Sequence, residues 1–147
     1  MDIRILQTSD EHAFNRIAPG VFDDPLDLEA TRRFLADPWH HIVVAIDDGM
    51  VVGFISAVHY LHPDKPHPEL WINEVSVADS HRRRAVGKGM LREMQALARS
   101  LGCKEAWVLT DRSNTAAMRL YSGCDGRDQD TTMFTFDLRS TAPTRLE

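Results

Sequence analysis

The chain has 147 residues, of which 43% are hydrophobic and 27% are charged, and its formal net charge is −5. These values are typical of a globular protein of one domain, and they exclude a general polyanion binder, whose surface would be broadly basic. No apolar run is long enough to span a membrane and the N-terminus lacks a signal peptide's apolar segment, so we expect a cytoplasmic protein. We assign residues 1–139 to a single domain and residues 140–147 to a polar C-terminal tail.

The N-terminal region predicts a strand followed by two helices. Residues 2–7 alternate apolar and polar side chains as a strand does, and residues 10–18 predict a weak helix. A second helix is predicted within residues 23–37, with Asp24 as its N-cap and Asp27 in its positive first turn.

A hairpin and a further strand follow. Residues 41–47 and 51–61 predict two antiparallel strands, because the Asp48-Gly49 pair between them favours a tight turn. Residues 69–79 predict another strand. The loop before it carries His62 and His67, to which we assign no catalytic role.

The C-terminal half alternates helices and strands. A stripe of apolar residues at helical spacing predicts a helix over residues 87–101, ended by Gly102. A strand at 104–110, a short helix at 114–122 and a last strand at 131–138 follow. The helix between the strands at 69–79 and 104–110 implies a right-handed crossover that makes them parallel, so the fold class is α/β with a mixed central sheet.

The remaining chemistry-bearing residues give few signals. Cys103 and Cys124 lie outside any CxxC pair, and the seven histidines are not spaced as metal ligands. We expect two reduced thiols and no metal. The tryptophans are expected in the core or in an interface; they are Trp39, Trp71 and Trp107.

The segment HRRRAVGKGM, residues 81–90, joins the predicted strand at 69–79 to the helix at 87–101. A helix N-terminus offers unpaired N–H groups, and we expect the two glycines to let a phosphate approach the backbone. Four cations add full charge at the same point; they are Arg82, Arg83, Arg84 and Lys88. The segment therefore predicts a bound phosphate or pyrophosphate.

The spacing of this segment excludes two common phosphate motifs. It lacks the third glycine of GxGxxG and the GKS/GKT ending of a P-loop. The pattern R-x-x-G-x-G at residues 84–89 instead resembles the coenzyme A pyrophosphate loop of the GCN5-related N-acetyltransferase (GNAT) superfamily. The flanking NEVSVADSHRR and the frame Asn114-x-x-Ala-x-x-Leu-Tyr121 are similar to that superfamily's fourth strand and to the helix after its fifth.

The resemblance covers nearly all of residues 2–138. It implies a single-domain fold in which parallel strands four and five splay apart, flanked by helices. One departure is Asp125, which stands where the family usually has glycine and predicts a turn one residue longer. Within the superfamily, the runs at 57–91 and 120–138 look like the aminoglycoside 3-N-acetyltransferases.

The resemblance implies acetyl-CoA as the cosubstrate and assigns residues to it. The backbone N–H groups of Val75 and Val77 would meet the pantetheine arm and the thioester oxygen, and Asn114 would touch the coenzyme arm. The pyrophosphate loop comprises Arg82, Arg83, Arg84, Val86, Gly87, Lys88 and Gly89.

Two residues are candidates for the chemistry. Glu74 stands just before the implied thioester position, where a carboxylate could take the amine proton directly or through water. Its other interpretation is an outward-facing strand residue in an ordinary ion pair. Tyr121 matches the family's candidate acid for the leaving thiolate, and its other interpretation is a tyrosine that covers the core.

The implied acceptor is a small polycationic amine, so its pocket should be acidic. The candidate ligands are Asp23, Asp24, Glu69, Glu74, Asp128 and Asp130. Each has an ordinary alternative as a helix cap or as a solvated turn residue. We expect no nucleic-acid or membrane partner, and homodimers are common in this superfamily.

Three function hypotheses follow. The first is an aminoglycoside 3-N-acetyltransferase that works by direct transfer in a ternary complex and confers antibiotic resistance. The second keeps the chemistry and changes the acceptor to a polyamine, an amino acid or a protein amine. The third is a non-catalytic module that binds a phosphorylated ligand or nucleic acid through its arginines.

Overall fold

The computed structural model describes residues 1–139, so the predicted tail at 140–147 lies outside the described residues. Five strands are β1 Asp2–Ile5, β2 His40–Asp47, β3 Met50–His62, β4 Lys65–Val77 and β5 Ala106–Val108. Three α-helices are α1 Leu28–Ala36, α2 Val86–Ser100 and α3 Thr115–Gly123, and 3-10 turns span Glu11–Asn15 and Asp79–His81.

The strands form one sheet in the order β1-β2-β3-β4-β5. All neighbours are antiparallel except β4 and β5, which pair in parallel through Leu70↔Ala106, Trp71↔Trp107 and Ile72↔Val108. The predicted α/β class with a mixed sheet and a parallel last pair is therefore confirmed.

Helices and loops cover both faces of the sheet. On one face lies α2, whose Met90 and Met94 are fully buried, with Met90 packed over Gly53 of β3. On the other face Phe22 stacks on Phe54, with ring centroids 4.2 Å apart. Burial of these apolar side chains is the main stabilising contribution of such a core.

The turns that the sequence indicated are present. Asp48 and Gly49 both have positive φ, of 50° and 71°, as the two-residue turn between β2 and β3 requires. Gly102 follows α2 with φ of 87°. The predicted hairpin and the end of the long helix are confirmed.

The start of α1 differs from the prediction. Asp27, not Asp24, is the N-cap, and its Oδ1 accepts a hydrogen bond of 2.7 Å from the backbone N–H of Ala30. Both residues are acidic and near the same apolar pattern, so the sequence did not distinguish them. The earlier helix predicted at 10–18 is only the short 3-10 turn Glu11–Asn15.

The predicted last strand at 131–138 is wrong. These residues form no strand and pair with none of the five, and the side chains of Met133, Phe134, Phe136 and Leu138 are exposed. Alternating β-branched and aromatic residues favour extended structure, but a strand forms only where its backbone is hydrogen-bonded to a neighbouring strand. None of the five strands bonds to these residues.

The state of the cysteines and the length of the helices can be given for residues 1–139. Cys103 and Cys124 are buried free thiols, as expected from their spacing. No helix within residues 1–139 has the length and apolar character needed to cross a membrane.

Candidate active site

The centre of the site is an opening between β4 and β5. Pairing of the two strands stops at Ile72↔Val108, where β5 ends, whereas β4 continues to Val77. Beyond Ile72, β4 therefore keeps only its partner β3, with which it pairs as far as Gly53↔Val77. A narrow ligand could lie along the free edge of β4.

The backbone of β4 directs two N–H groups into that opening. The N–H of Ala78 donates to the carbonyl of Val52 on the β3 side, at 2.7 Å. Since N–H groups alternate between the two edges of a strand, those of Val75 and Val77 point away from β3, toward the opening. These are the two residues that the sequence resemblance implied as backbone donors.

A β-bulge at Asn73 sets the direction of the neighbouring side chains. Ser56 of β3 pairs with Glu74, and the next residue, Ala57, pairs with Ile72. Asn73 is therefore an extra residue of β4 that has no partner in the register. The extra residue reverses the side-chain alternation on its N-terminal side. Glu74 and Ser76 share one face, whereas Val75 and Val77 lie on the face of α2, as the alternation predicted.

The loop before α2 has a strained backbone and an uncapped helix end. Arg83 and Ala85 have φ of 61° and 59°, in the left-handed region that residues with a Cβ disfavour by about 1–2 kcal/mol each. Ala85 is the N-cap and offers no side-chain oxygen, and the first turn closes with Gly89 N–H to Ala85 carbonyl at 3.0 Å. The N–H groups of residues 86–88 are left to bind an anion.

The cations around this helix end are not equivalent. Arg82 pairs with Asp79 at 3.1 Å and also donates weakly to the carbonyl of Val77. Arg83, Arg84 and Lys88 are exposed and form no ion pair with a carboxylate of residues 1–139. Positive charge therefore stays available beside the free N–H groups.

A half-buried contact between His81 and Asp47 fixes the loop on the sheet. His81 Nε2 contacts Asp47 Oδ2 at 2.8 Å, and His81 Nδ1 contacts the Ser80 hydroxyl at 2.8 Å. The hydrogen bond from His81, aided by the charges of His81 and Arg84, lowers the pKa of the Asp47 carboxyl. The loop is tied to the end of β2 on one side and continues into α2 on the other.

The two loop glycines have a packing role that sequence reasoning missed. A Cβ on Gly89 would lie 2.6 Å from Ile3 Cδ1, and one on Gly87 would lie 3.3 Å from Leu120 Cδ2. Both missing side chains therefore face other parts of the protein. They let α2 approach β1 and α3 closely, and the expectation that they also admit a phosphate stays a prediction.

An acidic cleft of about 240 Å³ lies beside the opening. Its walls are Val21, Asp23, Phe54, Glu74, Val75 and Ser76. Asp23 also lines an adjacent hollow of about 310 Å³, to which Asp24 contributes. The structure thus brings together Glu74 and Asp23, with Asp24 just behind them.

Two other predicted acceptor ligands are engaged in ion pairs. Glu69 bonds to His62 and lies 3.7 Å from Lys65, near the tip of the β3–β4 hairpin. Asp128 pairs with Arg112 at 2.8 Å, and this hydrogen bond lowers the pKa of Asp128. Asp130 is exposed and does not line the cleft.

Tyr121 lies half-buried on α3, and burial raises the pKa of its phenol above the ordinary value. A phenol so placed stays protonated at neutral pH and can donate a proton. The helix end behind it is closed by Gly126 N–H bonding to the Tyr121 carbonyl at 2.8 Å. Asp125 itself adopts the left-handed conformation with φ of 68°, so the turn needs no extra residue.

Asn114 is the N-cap of α3. Its Oδ1 accepts a hydrogen bond of 3.1 Å from Ala117 N–H, and its amide NH₂ group remains available to a ligand. Together, the uncapped helix end, the free cations and the opening fit a ligand with phosphates at one end and a narrow arm at the other. No group of three or more potential metal-ligating side chains occurs within residues 1–139.

Sequence reasoning missed one aromatic group on the same face of β4 as Glu74. Trp71, expected in the core or in an interface, is outside the core: it is 39% exposed and stacks on Trp107, with centroids 5.1 Å apart and an interplanar angle of 9°. Trp107 Nε1 donates to Tyr60 Oη at 2.7 Å, which fixes the pair. No sequence signal marked the bulge that determines which face Trp71 occupies.

Similarity to known proteins provides the remaining evidence. The sequence model of the Acetyltransferase (GNAT) family matches residues 7–125. The curated relatives include the mouse protein N-acetyltransferase family 8 member 3, 27% identical over 88% of this chain and 54% of its own length. Another is the N-alpha-acetyltransferase RimI of Mycobacterium tuberculosis, 35% identical over 69% of this chain and 61% of its own length. The chain spans about half the length of the mouse relative.

Solved structures share the fold at low sequence identity. An aminoglycoside acetyltransferase from an uncultured soil metagenomic sample, solved in complex with sisomicin, has a TM-score of 0.79 and 18% identity. The match covers 94% of this chain and 96% of that protein. At this identity the likeness establishes the fold.

Proposed function

Because the chain belongs to the GNAT family of acetyltransferases, we propose that it is an acetyl-CoA-dependent N-acetyltransferase whose acceptor is a small polycationic amine. The observation that carries the proposal is the acidic cleft with Glu74 and Asp23, which adjoins the free edge of β4. A donor entering along that edge would meet an amine held in the cleft.

The donor end supports acetyl-CoA as cosubstrate. Acetyl-CoA supplies a thioester acyl group and a pyrophosphate. The free N–H groups of residues 86–88 and the charges of Arg83, Arg84 and Lys88 would hold the pyrophosphate. Arg82 would contribute less, because Asp79 already pairs with it.

The opening beside β4 would stabilise charge on the acyl carbonyl. Val75 and Val77 present two N–H groups on the edge that β5 no longer covers. A preorganised backbone donor aimed at a developing oxyanion can lower a barrier by ~3 kcal/mol.

Glu74 is the proposed base. The amine must lose its proton as its nitrogen bonds to the acyl carbon, and the Glu74 carboxylate would take that proton directly or through water. Asp23, on the same cleft, would hold the cationic acceptor by charge. Tyr121 would donate a proton to the sulfur as the carbon–sulfur bond breaks.

The negative charge of the cleft favours a polycationic acceptor, and we propose aminoglycosides as the first candidates. Two carboxylates face the cleft and a third, Asp24, lies in the adjoining hollow. Structural likeness to an aminoglycoside acetyltransferase is consistent with this choice. Acetylation at the 3-amino group stays a prediction, to be tested by NMR of the product.

A second candidate acceptor is the N-terminal amine of a protein. The 35% identity to an N-alpha-acetyltransferase favours it. A peptide would bring one ammonium group to Glu74, and its backbone would lie along the neighbouring hollow.

The test is an assay of thiol release from acetyl-CoA with sisomicin, gentamicin, kanamycin, spermidine and a peptide with a free N-terminus. We expect turnover with at least one aminoglycoside and weaker turnover with the peptide. Turnover of the peptide alone would establish the second candidate. If no amine reacts and coenzyme A does not bind, while DNA binds with a steep salt dependence, the protein is a binding module instead.

A further inference from the structure

Trp71 and Glu74 are neighbours on one face of the sheet. Three positions apart, they would point to opposite faces of a regular strand. The extra residue at the Asn73 bulge brings both side chains to the same face. Trp71 pairs with Val58 and Glu74 pairs with Ser56 on β3. Val58 and Ser56 are two residues apart, so Trp71 lies one same-face step, ~7 Å, from Glu74.

The indole of Trp71 is both exposed and held in place. It is 39% exposed, yet it stacks on Trp107, whose own indole N–H is bonded to Tyr60. A fixed aromatic ring loses little conformational entropy when a ligand binds to it.

The charges around Trp71 select the class of group that it would bind. Glu74 is the next residue on its C-terminal side on this face, and Asp23 faces the same cleft. Glu69, on the other side, is already paired with His62 and Lys65. A polycation held by Glu74 and Asp23 would need a second ammonium group within ~6 Å of the Trp71 ring to be attracted by its face.

We propose that Trp71 is a specificity-determining residue that binds a second ammonium group of the acceptor while Glu74 faces the reacting amine. The inference rests on the proposed function and adds the preference for acceptors with at least two ammonium groups. Acceptors with a single amine leave Trp71 without a cation to bind.

The experiment compares kanamycin, which carries several ammonium groups, with glucosamine, which carries one. We expect Trp71→Leu to raise KM for kanamycin about 2- to 30-fold, with kcat, KM for acetyl-CoA and KM for glucosamine unchanged within twofold. Trp71→Phe should give a smaller rise in the same KM, because indole is the better cation binder.

Trp39→Leu is the matched control. Trp39 is 40% exposed, almost the same as Trp71, but it lies just before β2 and packs on His59 of β3. His59 follows Val58, the partner of Trp71, so it lies on the opposite face of the sheet. Trp39→Leu should leave all four constants unchanged. Circular dichroism and urea midpoints verify that each variant is folded, and Trp71→Phe replaces Trp71→Leu if the latter is not.

The results separate the two proposals. Kanamycin turnover by the wild type with an unchanged KM in a folded Trp71 variant overturns the role of Trp71 alone. An equal rise in KM for glucosamine, or in the Trp39→Leu control, does the same. Absence of wild-type turnover with every amine overturns the proposed function, and the inference with it.

Discussion

The donor end and the acceptor cleft of this site are built in different ways. The donor end consists mainly of backbone: free N–H groups of residues 86–88, the edge of β4 and a loop held in left-handed conformations. The cleft consists of side chains from three separate segments, with Asp23 before α1, Phe54 on β3 and Glu74 on β4. Backbone geometry is set locally, whereas side chains from distant segments meet only after folding.

Mutations in the two regions should therefore change different quantities. Substitutions in the cleft should change kcat or the affinity for the acceptor. Substitutions in the loop should change affinity for acetyl-CoA or the free energy of unfolding. Variants of each region should therefore show separate kinetic signatures.

Glu74→Gln should have the largest effect. The amide keeps the shape of the side chain but cannot accept the amine proton at neutral pH, so kcat should fall about 100-fold or more. Affinity for coenzyme A, measured by calorimetry, should stay nearly intact, because the pyrophosphate loop is untouched. Unchanged turnover would remove Glu74 from the mechanism.

Asp23→Asn is the matched control for that variant. It removes a carboxylate from the same cleft but not the proposed base. We expect a higher KM for a polycationic acceptor with kcat retained. If Asp23→Asn and Glu74→Gln lower kcat equally, the cleft acts through its total charge and neither carboxylate is a specific base.

Tyr121→Phe should have the next largest effect. Loss of the phenolic proton donor should lower kcat about 100-fold, with both KM values changed little. Burial raises the pKa of Tyr121 above its usual value near ~10, so the donor form persists throughout the neutral range. The wild-type rate should therefore show no decline from Tyr121 between pH 7 and 9, and a decline within that range would argue against this role.

The sequence predicted the donor end better than the cleft. The loop, the uncapped helix and the parallel β4–β5 pair depend on consecutive residues and on a helix of clear periodicity, so a motif could indicate them. Trp71 could not be placed, because one extra residue at Asn73 reverses its face and nothing local marks that residue. Pairing decides such features, as it decides that residues 131–138 form no strand.

Arg84→Ala should weaken coenzyme A binding by about tenfold. Arg84 is exposed and unpaired within residues 1–139, so its charge is available for a phosphate, and a charge-assisted hydrogen bond contributes about 1.5–3 kcal/mol. Arg82→Ala should have a smaller effect, since Asp79 already pairs with that side chain. Calorimetry at two salt concentrations measures both, and equal losses would contradict the distinction between them.

Ala85→Gly should have the smallest effect, on stability alone. Ala85 has φ of 59°, a conformation that costs a residue with a Cβ about 1–2 kcal/mol, and glycine would remove this cost. Glycine also gives the unfolded chain more conformational freedom, which lowers stability by about 0.4–1 kcal/mol. The variant should therefore be as stable as the wild type or more stable by up to about 1.5 kcal/mol, measured by urea unfolding.

Ala96→Gly, in the exposed interior of the same helix, is the comparison that gives this result its meaning. There the backbone is already helical, so glycine only adds unfolded-state freedom and should destabilise by about 1 kcal/mol. Opposite signs for the same substitution in one helix would mean that the loop stores strain at Ala85 to direct the N–H groups of residues 86–88. Equal destabilisation by both variants would mean that the loop is relaxed, and that its affinity for a phosphate comes from Arg84 and its neighbours rather than from the shape of the backbone.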